Sequence, residues 1–524
     1  MAQRAKLRVR GHVICAGATQ NGERGASQPA RASAAPSAPP DAAPAEETSV
    51  VIDDDALGPP HETPRARVLA VTPREAASPY AHPMAVPGGY ALWEDALRHL
   101  GRRTRWSEPS VEVSVFTLGS EDSSWLPEPI EPFAKAAADA DMVLFVGVHD
   151  LRSARFLIRN TSHIPTCLAF ESCSELERQS RLLFQPQSAL LDQALRRVPF
   201  SNASKDAKLL QEAHELYSRK TPNDFVYMLL RMLDKCVTPL ESVAESDVSS
   251  LSVASCCLRN CWKASAQCAL DENCRKAFQC LDNCGLNDQV CSYRCIVSYE
   301  SQKFQEFSLC NLQKHNCLGN KAQRPKYPDV QPLTEWRGQA LTHEAAEEIF
   351  EGWLVQKPWS WMVVCGQNPA YDIFPCQHQI FYYGKGGKSF WYDPVFKAIT
   401  LDGRETWRRR HYRVKRGEQP GTFFFSVLDN GVTSNEYWRI VDVREDLSWA
   451  VFYYTGAASA AGQSYSGAVF VTADGQWPEE DEIPRVEQAL AKCGIKFWEM
   501  YEVDNRCCDG SDSAGEPPLG SLPG

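Results

Sequence analysis

The 524-residue sequence contains no run of about 18 apolar residues, so nothing in it reads as a membrane-spanning helix. It has no basic surplus either. Its 55 Lys and Arg against 66 Asp and Glu leave a net charge of −11, which argues against a general nucleic-acid binder. No G-x-G-x-x-G and no Walker sequence follows the first predicted strand, and Gly88-Gly89 alone is too weak a signal for a phosphate site. Cysteine, by contrast, is abundant: 20 in the chain, eleven of them between Cys256 and Cys317. That density fits an oxidising compartment or a metal cluster better than a reduced cytosolic enzyme.

Composition shifts divide the chain. Residues 1–64 begin with Arg4, Lys6, Arg8 and Arg10 before any acid, and continue into a Ser/Ala/Pro-rich run. This stretch reads as disordered and transit-peptide-like, with no lumen-directing signal visible after it. From 66 to 235, short apolar runs (66–73, 111–119, 141–150, 164–172) alternate with helical patterns (90–101, 129–140, 153–160, 223–235). That is the pattern of a small α/β (Rossmann-like) domain with a buried parallel sheet. A structural or docking role is expected for it ahead of nucleotide binding. A Ser/Glu-rich linker (240–255) precedes the cysteine-rich segment 256–320. From 345 to 475, eight short aromatic and β-branched stretches recur at roughly ten-residue spacing, which predicts an antiparallel barrel or sandwich. An amphipathic C-terminal helix and a strand are expected over 478–508, and a disordered tail over 509–524.

Three cysteine pairs sit at i, i+4, namely Cys257/Cys261, Cys280/Cys284 and Cys291/Cys295, and each pair shares one helix face. "GLND" (285–288) breaks the helix between the last two pairs and would set antiparallel helices with facing sulfurs. Only His315 lies nearby and no C-x-x-C knuckle occurs, so disulfides are favoured over zinc and no metal is assigned. The disulfide set is Cys256, Cys257, Cys261, Cys268, Cys274, Cys280, Cys284, Cys291, Cys295, Cys310 and Cys317. Since eleven is odd, Cys376 is the candidate outside partner. A helical domain this small needs such bonds because its apolar core is small.

The segment "CCLRNCWKASAQCALDENCRKAFQCLDNCGLNDQVCSYRCIVSYESQKFQEFSLCNLQKHNC", followed by "QNPAYDIFPCQ", "EYWRIV", "VFYYTG", "YSGAVF" and "VDNRC", resembles the violaxanthin de-epoxidase family over about residues 256–507. The added N-terminal region makes it most similar to the violaxanthin de-epoxidase-related proteins of plants and algae. The resemblance implies a lipocalin-like eight-stranded barrel beside a disulfide-stapled helical domain. It implies ascorbate as co-substrate, reductive removal of epoxide oxygen from a xanthophyll at acidic pH, and a chloroplast location in the thylakoid, with the lumen as compartment. Neither metal nor nucleotide is implied. The partners that follow are a carotenoid epoxide or related isoprenoid, the thylakoid membrane surface and a second copy of the chain, but no nucleic acid.

Carried over residue by residue, the resemblance makes Glu436, Asp372 and Tyr454 the catalytic set. Gln377, Trp438, Tyr453 and Tyr465 become substrate-binding residues. An acid that protonates an epoxide oxygen must itself be protonated where it works, and burial raises its pKa. Pro375 and "AASAAGQSYSG" stand where the family has further acids, and "TWRRRHYRVK" places Arg408, Arg409, Arg410 and His411 where the family has fewer charges. The arginine run reads as a solvated face, with an anion site for ascorbate as the sharper alternative. Two other functions compete with catalysis: a lipocalin-type carotenoid or isoprenoid carrier, and a redox-sensitive assembly factor.

Overall fold

The computed structural model describes residues 57–81, 90–119, 126–128, 130–182, 200–243, 250–285, 287–387, 389–510 and 514–520. The transit-peptide-like expectation for the first 64 residues falls outside these, apart from 57–64. There the Leu57 and Pro59 carbonyls accept hydrogen bonds from Asp329 and Arg105.

Strands β1 (Ala66–Pro73), β2 (Val111–Leu118), β3 (Pro127–Glu128), β4 (Met142–Val146) and β5 (Thr166–Phe170) form one sheet in the order β3-β2-β1-β4-β5. All neighbours are parallel except the short edge strand β3. Successive β1 side chains face opposite sides of the sheet. Val68 and Ala70 join helices α1 (Trp93–Ser107), α4 (Phe200–Ser218) and α5 (Pro222–Cys236), whereas Leu69 and Val71 join α2 (Ile130–Asp139) and α3 (Leu151–Thr161). The sheet is therefore covered on both faces, which is why β1, β4 and β5 read as apolar runs, whereas β2 alternates and exposes Glu112. Helix α4 had no counterpart in the sequence reading.

The cysteine-rich segment folds as α6 (Ser250–Leu270), α7 (Glu272–Asp282), α8 (Gln289–Ser298) and α9 (Gln302–Ser308). Helix α6 starts inside the stretch expected as a 240–255 linker. Asp271, Asp288 and Ser301 cap α7, α8 and α9, each accepting from the backbone N–H three residues on. Five disulfides hold the helices: Cys256–Cys317, Cys261–Cys310, Cys268–Cys274, Cys280–Cys295 and Cys284–Cys291. Two expectations are corrected. Cys257 is a free thiol, turned about 100° around the helix from Cys256, whose sulfur bonds Cys317. The odd cysteine therefore needs no outside partner, and Cys376 bonds Cys508.

The barrel consists of β6 (Trp361–Gly366), β7 (His378–Tyr383), β8 (Phe390–Ile399), β9 (Glu405–Arg409), β10 (Tyr412–Arg416), β11 (Thr422–Asp429), β12 (Val432–Val443), β13 (Trp449–Ala458) and β14 (Gln463–Thr472). Strands β9 and β10 are two halves of one stave, since both pair with β8. Eight antiparallel staves result, and β14 closes the cylinder onto β6. Helix α10 (His343–Glu351) stoppers one end. Its Phe350 ring lies 4.5 Å from Phe381, 4.7 Å from Phe423 and 4.8 Å from Phe452. Outside the barrel, α11 (Ile483–Lys492) packs on β12 and β13 through Val486, Ala489 and Leu490, and β15 (Tyr501–Glu502) pairs with β6.

Residues 514–520, expected as part of a disordered tail, lie along the barrel wall instead. The Gly515 carbonyl accepts from the Trp407 indole, Pro518 and Gly520 carbonyls accept from Arg409, and Leu519 packs into the cluster containing Trp359, Trp391 and Trp407. One leucine and three satisfied carbonyls tie down a segment whose composition reads as coil.

Candidate active site

Inside the barrel, on the side of α10's plug that faces the cysteine-rich domain, two carboxylic acids approach one tyrosine. Glu436 is on β12 and points inward, as do Trp438 and Ile440. It is only 8% exposed; its Oε2 accepts from the Trp438 indole at 2.7 Å and its Oε1 from the Tyr465 hydroxyl at 2.7 Å. Burial pushes its pKa up, against the lowering effect of those two donors.

Asp372 is held by the loop between β6 and β7. Its Oδ2 accepts from the Asn368 N–H at 2.6 Å, and the carboxyl group lies against Gly366, where an added Cβ would come within 2.3 Å of its Cγ. Burial raises the Asp372 pKa to about 7 although the Asn368 N–H and the Gln377 side chain pull it down. Gln377 fixes the loop by donating to the Tyr371 and Phe374 carbonyls at 3.0 and 3.1 Å. The Cys376–Cys508 bond and a hydrogen bond from the Cys376 N–H to the Asp504 carbonyl tie the end of the loop to the C-terminal segment.

Tyr454 joins the two acids. Its ring stacks on Trp438 at 5.2 Å, and burial together with Asp372 and Glu436 raises its pKa, so the phenol stays protonated. Asn368 and the phenols of Tyr371 and Tyr412 complete the setting. Asn368 hydrogen-bonds Tyr454, and both phenols feel the charge of Glu436. The sequence reading missed these three; the available signals were the inward parity of Tyr412 with Val414 and the position of Asn368 and Tyr371 within "QNPAYDIFPCQ". Tyr392, Phe425, Trp438 and Tyr454 form an aromatic layer between these groups and Phe350, with Trp438 lying 5.6 Å from Tyr392 and 4.9 Å from Phe425.

Of the seven residues expected at the site, the structure brings together Glu436, Asp372, Tyr454, Gln377, Trp438 and Tyr465. Tyr453 is the exception. It is adjacent to Tyr454 on a strand, so it points out of the barrel, where it is buried with Ala489, Leu490 and Cys493 around α11. The arginine run is corrected too, because it is neither a solvated face nor a set of free cations. Arg408 pairs with Glu300 at 2.9 Å, Arg410 with Glu300 and with Asp429 at 3.0 Å, and Arg409, on the other face, with Asp393 at 2.6 Å. His411 also bonds Asp393, at 2.7 Å. These charges are used in fastening the barrel to the cysteine-rich domain and to its own wall.

The fold and the site together define a lipocalin-type barrel with two buried acids and a tyrosine set in an aromatic interior. Residues 253–505, just under half of the chain, match the family model of the VDE lipocalin domain. The chain is 25% identical over 326 residues to the chloroplastic violaxanthin de-epoxidase of Arabidopsis thaliana, covering 59% of this chain and 64% of that protein. It is 25% identical over 286 residues to the chloroplastic enzyme of Nicotiana tabacum, covering 52% and 53%. The chain thus spans between about half and just under two thirds of the length of these relatives. Among solved structures, lobster apocrustacyanin A1 aligns over 34% of this chain and 90% of its own, at TM-score 0.22 and 11% identity. Apocrustacyanin C2 aligns over 31% and 87%, at 0.22 and 13%.

Proposed function

We propose that the chain is an oxidoreductase of the de-epoxidase type, with a xanthophyll epoxide as substrate and ascorbate as reductant. Glu436 is the general acid. It gives its proton to the epoxide oxygen as the C–O bond opens, with Tyr465 and Trp438 aiming the carboxyl group. Tyr454 hydrogen-bonds the same oxygen, and Asp372 holds a second proton near it. Ascorbate supplies two electrons and two protons, the oxygen leaves as water and a C=C bond forms, so the balance closes. The aromatic interior suits a polyene, and the N-terminal Rossmann-like unit serves as a docking module. A thylakoid lumen that acidifies would bring the acids into their protonated form.

The observation that carries this reading is the burial of Glu436 and Asp372 around the Tyr454 hydroxyl, with the pKa of both acids raised. A carrier function is the second reading. It is favoured by the rest of the lining, which is aromatic and aliphatic. Incubation of the oxidised protein with violaxanthin, ascorbate and lipid, from mildly acidic to neutral pH, separates the two. Conversion on the acidic side that a dithiol abolishes supports the enzyme. Carotenoid retained without conversion at any pH replaces it with the carrier.

A further inference from the structure

On the outer face of β11–β13, opposite Glu436, rings and guanidinium groups stand side by side. The Arg324 guanidinium lies 5.7 Å from the Phe424 ring and 4.7 Å from Tyr437; that of Arg439 lies 4.5 Å from Tyr437 and 5.6 Å from Tyr453. Stacking on rings satisfies the faces of a guanidinium and leaves its N–H edges available. Among the described residues neither arginine has a carboxylate partner, unlike Arg408, Arg409 and Arg410. The two cations are close enough that Arg439, after burial, is what lowers the Arg324 pKa.

The same face holds two buried polar atoms without a hydrogen-bond partner, Arg439 Nη1 and Thr455 Oγ1, beside Tyr453 Oη, which the Ser466 side chain approaches. Strand pairing sets them side by side, with Arg439 opposite Tyr453 and Tyr437 opposite Thr455. Tyr453 and Thr455 are each 1% exposed. A buried hydroxyl or guanidinium N–H without an acceptor is costly, so two such groups on one patch call for an acceptor-rich occupant. Arg324, at the edge of this group, is exposed to solvent.

We propose that Arg324, Arg439, Tyr453 and Thr455 form a binding site for a phosphate-type oxyanion on the outside of the barrel. Two forked cations and two hydroxyls offer more donors than the two oxygens of a carboxylate can accept, whereas a tetrahedral anion can take them all. The site faces away from the interior acids and does not rest on the de-epoxidase reading. It gives Tyr453 a role that its outward parity denies it inside the barrel.

Equilibrium dialysis of the full chain against labelled inorganic phosphate, with acetate and ascorbate as competitors, tests this. Saturable phosphate binding is expected. Arg439→Met and Thr455→Val, the latter nearly isosteric and retaining the strand, should each weaken it, the arginine change by about tenfold or more. Acetate should compete poorly. Displacement by ascorbate at lower concentration than phosphate would overturn the phosphate assignment. No saturable binding, or equal binding by the wild type and both variants, would overturn the site and leave the unpaired atoms to water.

Discussion

Tyr465 donates its hydroxyl to Glu436 across an intervening strand, at 2.7 Å, because the residue between them is a glycine. Gly456 is the register partner of Glu436 on one side and of Tyr465 on the other. A Cβ at this position would stand 2.5 Å from the Tyr465 ring. The absent side chain makes the space through which the tyrosine reaches the acid.

Gly456→Ala should therefore displace the Tyr465 ring and remove one of the two donors to Glu436. The pKa of the acid should rise and the proposed activity should drop by about tenfold or more, comparable to Tyr465→Phe. Rates and pH profiles of the two variants check this. A wild-type profile in Gly456→Ala would show that the tyrosine contact does not set the acid.

The Asp372 carboxyl stays protonated up to about pH 7 in the folded protein, against an ordinary value of 3.8. The folded chain therefore binds more protons than the unfolded one across that interval, and this contribution to stability is lost as pH rises through it. Asp372→Asn should flatten the decline of the urea midpoint between about pH 4 and pH 7. An unchanged slope would mean that the carboxyl is not held neutral.

Cys376 and Cys508 are 132 residues apart in sequence, and their bond fixes the end of the Asp372 loop. Cys376→Ser should cost about 2–5 kcal/mol in a denaturant titration. It should also return the Asp372 pKa towards its ordinary value by admitting water. Thiol-specific reduction of the wild type should reproduce both effects.

The N-terminal unit grips the C-terminal segment through a buried ionic cluster. Glu499 accepts from His99 at 2.7 Å and from Arg103 at 2.5 Å. Burial opposes its charge, but Arg103 and His99 prevail and hold its pKa down at about 2. Its contribution to stability is present above the ordinary value of 4.5 and is lost as pH falls from there towards 2. Glu499→Gln should remove that acid dependence and destabilise by about 3–5 kcal/mol at neutral pH, because Arg103 loses its buried partner. Thermal melts against pH measure both.

Much of this was legible in the sequence where a local rule governs. The strand 66–73 is a continuous apolar run because both sheet faces are covered, and the cysteine hairpin follows from i, i+4 spacing with "GLND" between. Parity was harder to read. In "VFYYTG" either tyrosine could face inward, and only the pairing of Trp438 with Tyr454 decides it. The arginine run looked solvated because its partners, Glu300 and Asp393, come from other elements. Cys256 and Cys257 are chemically alike, and the helix orientation alone selects the one that bonds. Likewise, no motif announces the outward cluster at Arg439, which exists only once three strands are in register.

The most direct test of the central claim is the initial rate of violaxanthin conversion by Glu436→Gln at acidic pH, beside the wild type. Glutamine keeps the shape and can still accept from Trp438 and Tyr465, but it has no proton to give. The account predicts a loss of about 100-fold or more with the fold intact by circular dichroism. A variant that converts the pigment at the wild-type rate would contradict it.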